Sequence, residues 1–207
     1  MKVQTTLSVV TALVLASLCL PRTASAFTIA LAPAMQTVSL GDPVNVDVVV
    51  SGLHDPEPDE VVSSFDLDVS YDSAALAPVG VSFGIDLGGP LDSFQSFDLS
   101  LAGSIDLAEF SFLDDATLDA LQGDSVVLAT LSFTAIGLDT SELLIAQDLD
   151  FVLTGRVDGD GIPQPLAPLT VLGGSVSVEA PEPSLGALLT LGFLALLGLR
   201  RTARAPR

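Results

Sequence analysis

Polar and apolar residues alternate with a period of two through most of the stretch from Phe27 to Glu179. Val44, Val46, Val48 and Val50 alternate with Asn45, Asp47 and Val49, and Phe65, Leu67, Val69 and Tyr71 alternate with Asp66, Asp68 and Ser70. Ile105, Leu107 and the Phe110/Phe112 pair read in the same way. So do Val127, Ala129, Leu131 and Phe133 against Leu128, Thr130, Ser132 and Thr134, and Val176 and Val178 against Ser175, Ser177 and Glu179. Successive side chains of a strand point to opposite faces, so one apolar and one polar face mean half-buried antiparallel strands.

Breaker clusters separate these runs at Gly41-Asp42-Pro43, His54 to Pro58, Gly88-Gly89-Pro90 and Asp158 to Gly161. About nine strands at this spacing predict an all-β fold over 27–179, an antiparallel β-sandwich or jelly roll. Only Asp115 to Leu121 reads as helical. A domain of this length can bury a core without disulfides. It has none to use, because the single cysteine, Cys19, precedes it.

Charge is strongly segregated. All 26 acidic residues lie between Asp42 and Glu182, where Arg156 alone offsets them; the net charge there is −25, against −19 for the whole chain. Such a surface repels phosphate backbones, which excludes nucleic acid as a partner. The remaining basic residues sit at the two ends.

Residues 1–26 read as a signal peptide: Lys2, an apolar helix-forming core from Val9 to Leu20, and the small-x-small site Ala24-Ser25-Ala26, with cleavage before Phe27. Residues 180–207 form a tail in three parts. Pro181-Glu182-Pro183 is followed by an apolar stretch, 185–199, and then by Arg200-Arg201 and two further arginines. With Ser184 included and the arginines snorkelling, 184–199 is a marginal transmembrane helix. The arginines place its C-terminal end in the cytoplasm and the acidic domain outside. This ordered tail resembles the PEP-CTERM sorting signal. The resemblance implies processing by an exosortase near Pro181, and delivery to the cell surface or an extracellular polysaccharide matrix.

The middle domain has its own resemblance. Val38 to Val48 opens with a Gly41-Asp42 turn into a long strand. Phe65 to Leu76 ends its strand in Tyr71-Asp72, Leu128 to Phe133 forms a later strand, and Val157-Asp158-Gly159-Asp160-Gly161 precedes a closing Gly174 to Val178. This ordered series resembles a cohesin domain. It implies a nine-stranded jelly roll, related in fold to certain carbohydrate-binding modules, that binds rather than catalyses. A dockerin-like protein and a polysaccharide are the two partners this reading leaves open.

Enzyme chemistry finds little support. The lone histidine, His54, has no second histidine, lysine or cysteine within 27–179 to complete a nucleophile system or a zinc site. No cofactor is expected. Calcium is a weak candidate at Asp158 and Asp160, whose Asp-Gly pairs read more readily as a hairpin turn, and Asp114-Asp115 calls for the same caution. The domain has no tryptophan on which a sugar could stack. Phe94 and Phe97 are the candidate exposed rings, although core positions are the default for both.

Overall fold

The computed structural model describes residues 27–54, 60–147, 151–181 and Leu189. The signal-peptide residues Ala24 and Ala26 lie outside the described residues. So do Glu182, Pro183, Arg200 and Arg201 of the sorting signal and all of 184–199 but Leu189. Among the described residues, no helix is long and apolar enough to cross a membrane.

The elements in chain order are β1 (Phe27–Ala32), β2 (Met35–Ser39), β3 (Pro43–Ser51), β4 (Ser64–Ser70), β5 (Leu76–Phe83), β6 (Ser93–Asp98) and β7 (Ser104–Ser111). There follow α1 (Asp115–Leu121), β8 (Ser125–Ala135), β9 (Thr140–Ala146), β10 (Val152–Val157), β11 (Pro163–Pro165), β12 (Leu169–Leu172) and β13 (Gly174–Glu179). The fold is all-β, as the alternation predicts. It has thirteen strands among the described residues rather than about nine. The surplus comes from short pieces such as β11 and from strands that divide where the chain changes sheet.

A five-stranded sheet runs β12-β1-β3-β8-β5. An eight-stranded sheet runs β11-β10-β4-β9-β13-β2, with β7 on the other edge of β4 and β6 beyond it. The inward rows of the two sheets form one core that includes Val46, Val48, Leu131 and Phe133 from the first and Phe65, Leu67, Ile105 and Leu143 from the second. Aromatic contacts cross between the sheets, with Tyr71 meeting Phe133 edge-on at 5.3 Å and Phe65 lying 6.2 Å from Phe83.

The antiparallel expectation holds for most pairs and fails for two. β1 runs parallel to β12, and β2 runs parallel to β13. A parallel pair needs a long connection, and here almost the whole domain separates the two members. Both terminal segments change sheet, the first between Ala32 and Met35 and the last at Gly173. They do so side by side, where Ser175 N donates to Ala34 O at 2.8 Å. A Cβ at Gly173 would stand 2.6 Å from Leu143 O, so only glycine fits that crossing.

Two parity expectations are corrected. In β8 the register slips opposite Val48/Val49, so Val126 and Leu128 join the core and Val127 turns outward. A bulge inserts one residue and reverses the phase on either side of it. In β7 the inward positions after Ile105 and Leu107 are Glu109 and Ser111, which leaves Phe110 and Phe112 outside.

Phe133 is buried between the sheets against Tyr71. Phe133→Ala is expected to cost about 3–5 kcal/mol of unfolding free energy. Urea denaturation checks this, and a loss under about 1 kcal/mol would mean the inter-sheet packing is not as described.

Candidate functional site

Strand parity gives each sheet an outer face, and the two faces differ. On the five-stranded sheet the outward residues of β3 and β8 include a valine pair, Val49 opposite Val127, and beyond it short polar side chains that bond to one another. Thr130 Oγ1 donates to Asp47 Oδ1 at 2.6 Å and Ser132 Oγ to Asn45 Oδ1 at 2.9 Å.

The outer face of the eight-stranded sheet is built from β6, β7, β4 and β10, and register places its side chains in rows. Phe94 lies opposite Phe110, and Phe110 opposite Ser64. In the next row stand Ser96, Ala108, Asp66 and Val152. In the next stand Asp98, Asp106, Asp68 and Ala146. Phe94, Phe110 and Phe112 are 60%, 47% and 64% exposed, and the rings of Phe110 and Phe112 meet edge-on at 5.9 Å. Between Phe94, Phe110 and Val152 the small side chain of Ala108 floors a depression of about 230 Å³.

Beside this apolar patch lies a ladder of three aspartates. Directly opposed positions on neighbouring strands hold their Cβ atoms about 4.5–5.5 Å apart, and like charges so placed repel. Local donors soften the repulsion at one end, where Ser100 donates to Asp98 through its backbone N at 2.7 Å and its Oγ at 3.0 Å. These bonds, the backbone one foremost, lower the Asp98 pKa. Ser104 Oγ reaches Asp68 Oδ1 at 3.4 Å. A surface of apolar rings edged by carboxylates is suited to a partner that presents apolar and basic side chains together.

Beneath the patch, on the inner side of β7, Glu109 is only 1% exposed. Its Oε1 accepts from Ser93 Oγ at 2.6 Å and Gln95 Nε2 at 2.7 Å, and its Oε2 has no partner. Loss of hydration pushes its pKa up, against the pull of those two donors.

The residues singled out from sequence take varied places. Asp158 clasps a hairpin turn: Oδ1 accepts from the backbone of Asp160 and Ile162, and Oδ2 from Gln164 Nε2 at 2.7 Å. Among the described residues no group of three or more His, Cys, Asp or Glu side chains is arranged to hold a metal ion. Asp114 caps α1 by accepting from Thr117 N at 2.8 Å, and Asp115 accepts from Val157 N. The Thr117 bonds lower the Asp114 pKa. His54 stands 4.0 Å from Asp119, which Arg156 also holds at 2.8 Å. Pro181, the last residue of the described stretch 151–181, is exposed. The core reading of Phe94 and Phe97 is corrected: Phe94 faces outward, and Phe97, at the sheet edge, is 48% exposed. Phe110, Phe112 and Ala108 were missed. Counting parity onward from Leu107 would have found the two rings; nothing local marks Ala108.

A two-sheet sandwich with one face free of rings on β3 and β8 and one aromatic, acid-edged face has the form of a binding module. The cohesin domain family matches residues 30–153, and the chain belongs to that family. Its members are binding modules rather than enzymes, and they are extracellular or surface-associated as a rule. No curated protein matches the chain. Solved structures share the fold. The seventh ScaB type I cohesin of Pseudobacteroides cellulosolvens is 21% identical, with TM-score 0.58, over 77% of this chain and 96% of that one. A cohesin of Clostridium acetobutylicum is 20% identical, with TM-score 0.57, over 77% and 94%. The sixth cohesin of scaffoldin B from Acetivibrio cellulolyticus, solved in complex with a dockerin, is 20% identical, with TM-score 0.53, over 75% and 100%.

A carboxyl whose pKa is higher folded than unfolded holds its proton more tightly in the folded state. Stability from that group is therefore present below the unfolded value, about 4.3, and is lost as pH rises through the folded value. Glu109→Gln, which cannot ionise, should gain stability relative to the native protein as pH is raised from about 4 to about 8. Parallel urea melts across that range check this; curves that keep a constant offset would show that burial does not penalise the Glu109 carboxylate.

Proposed function

We propose that this chain is an exported, non-enzymatic surface protein whose cohesin domain docks a dockerin-like partner on the outer face of the eight-stranded sheet. The observation that carries the reading is the juxtaposition on that face of the Phe94–Phe110–Phe112 rings with the Asp98–Asp106–Asp68 ladder. The opposite sheet offers no exposed ring on β3 or β8, only valines and short polar side chains, of which Thr130–Asp47 and Ser132–Asn45 are bonded to each other. A partner helix carrying an apolar residue for the depression over Ala108, and a lysine or arginine for the ladder, meets both requirements. Solved cohesin–dockerin complexes support this class of partner.

Dockerin modules encoded by the producing organism, immobilised one by one, provide the test. Capture of one of them should fall about tenfold or more in Ala108→Arg and in Asp106→Lys, and should weaken with salt. Capture that survives both substitutions would remove this face from the reading, and no capture by any dockerin would remove the partner.

The ends of the chain complete the proposal. The leader directs export, with cleavage after Ala26. The tail holds the protein briefly in the membrane until an exosortase cuts near Pro181-Glu182-Pro183 and passes the domain to the surface or matrix. The support is the order of the three tail parts and the confinement of arginine to the far end. Intact-mass analysis of protein released by the producing cell should show Phe27 at the N-terminus and loss of 184–207. In a Glu182→Ala variant the tail should be retained. A native protein that keeps its arginine-rich end would overturn exosortase processing.

A further inference from the structure

β5 ends one edge of the five-stranded sheet and β6 ends one edge of the eight-stranded sheet. On this side the sandwich is open, and the gap between the two edges forms a cleft of about 490 Å³. That lies within the range of about 300–1,000 Å³ found for small-ligand sites. The cleft is separate from the docking face: Phe94 of β6 points outward to that face, while Phe97, three residues on, lines the cleft.

Its lining is unusual for this protein. None of the ten lining residues is charged, in a domain (27–179) whose net charge is −24 (25 acids offset by Arg156). The rings of Phe83 and Phe97 lie 6.5 Å apart, tilted by 45°. Phe97 is half exposed, so an apolar face is available to a ligand. Gly84 belongs to the lining, and a Cβ there would come within 1.9 Å of Val127 O, so the chain passes at a point only glycine can occupy. The polar lining groups are neutral, chiefly Gln95 and Ser82.

Gln95 is the built part. Its Nε2 donates to Glu109 at 2.7 Å, and Ser93 Oγ donates to the same carboxylate oxygen at 2.6 Å. Holding a carboxylate out of water with one oxygen unpartnered is costly. Its structural effect is to hold the Gln95 amide in one orientation at the mouth of the cleft. An oriented amide beside two rings recognises a molecule with an apolar face and a hydroxylated rim. The surrounding acid field repels anions. No charged residue lines the cleft, so a cation finds no carboxylate among its lining side chains.

The geometry points to a binding site for an uncharged sugar residue of a glycan in the cleft between β5 and β6, with Phe97 and Phe83 as the apolar platform, Gln95 as the hydrogen-bonding group and Glu109 as its positioning residue. The site is independent of the docking face, so the protein would hold a neutral polysaccharide and a protein partner at once.

Isothermal titration of the full chain with cellohexaose, xylohexaose and mannohexaose tests this, with oligogalacturonate and chitosan oligosaccharide as charged comparators. At least one neutral hexasaccharide should bind, and the charged ones should not. Phe97→Ala and Gln95→Ala should each lower affinity about tenfold or more. Glu109→Leu should do the same, while Glu109→Gln, which keeps an oxygen for the Gln95 amide, should restore binding; a merely structural role would not distinguish these two. Ala108→Arg should leave sugar binding unchanged. Circular dichroism melts identify any variant that fails to fold, and the Gln95 variant then stands in for Phe97. The proposal is overturned if no neutral hexasaccharide binds, if a charged one binds better, or if binding is indifferent to Phe97 and Gln95. Sensitivity to Phe110→Ala instead would move the sugar to the outer face, and saturation of the cleft by an extended peptide would make it a strand-addition site.

Discussion

Everything in this domain depends on the parity of its strands. Without a cysteine in the domain, the folded state is held chiefly by apolar side chains packed between two sheets, each contributing about 1.5–3 kcal/mol when fully buried. Once Val44, Val46, Val48 and Val50 of β3 are committed inward against Leu67 and Val69 of β4, their neighbours have no choice. Asn45 and Asp47 must face out on one side, and Asp66 and Asp68 on the other. The same rule that makes the core makes both outer faces.

The functional character of the molecule lies where one strand defies the usual bargain between faces. β7 begins as expected, with Ile105 and Leu107 inside. Then it reverses, placing Glu109 and Ser111 inside and Phe110 outside, with Phe112 beyond it. The reversal opposes folding twice, through a carboxylate taken from water and through large rings left in it. Both consequences coincide with the surfaces proposed to bind: the exposed rings lie on the proposed docking face, and the buried carboxylate holds Gln95 at the cleft behind it. The aspartate ladder follows the same logic. Its three opposed carboxylates repel one another, and a basic side chain on the proposed partner would relieve that repulsion.

Closure of the sandwich is a tertiary event. The first and last segments each leave one sheet and enter the other, so that β1 lies with β12 and β2 with β13. Each terminal strand gains its partner from the opposite end of the chain, which ties both ends of the domain into both sheets. The family match spans 30–153, yet strands as late as β13 are integral to the eight-stranded sheet.

Much was legible in the residues themselves. The alternation in β3, β4 and β13, the breaker clusters, the helix at Asp115–Leu121, and the confinement of basic residues to the ends are local facts, and local periodicity is enough to read them. Tyr71 falls where its strand places it, against Phe133. The sequence determined that the chain makes half-buried strands and that its domain is acidic and lacks disulfides, and its cohesin-like series implied binding rather than catalysis. Only the tertiary structure decided which strand borders which. That choice turned Asp98, Asp106 and Asp68, distant in sequence, into one ladder and set Ala108 beneath two rings. It also phased β8 through a bulge opposite Val48/Val49 and brought the edges of β5 and β6 together around a neutral cleft. The physical reason is that periodicity specifies the two faces of each strand, whereas the neighbours across a sheet and the gap between two sheets depend on long-range pairing that no short window of sequence contains.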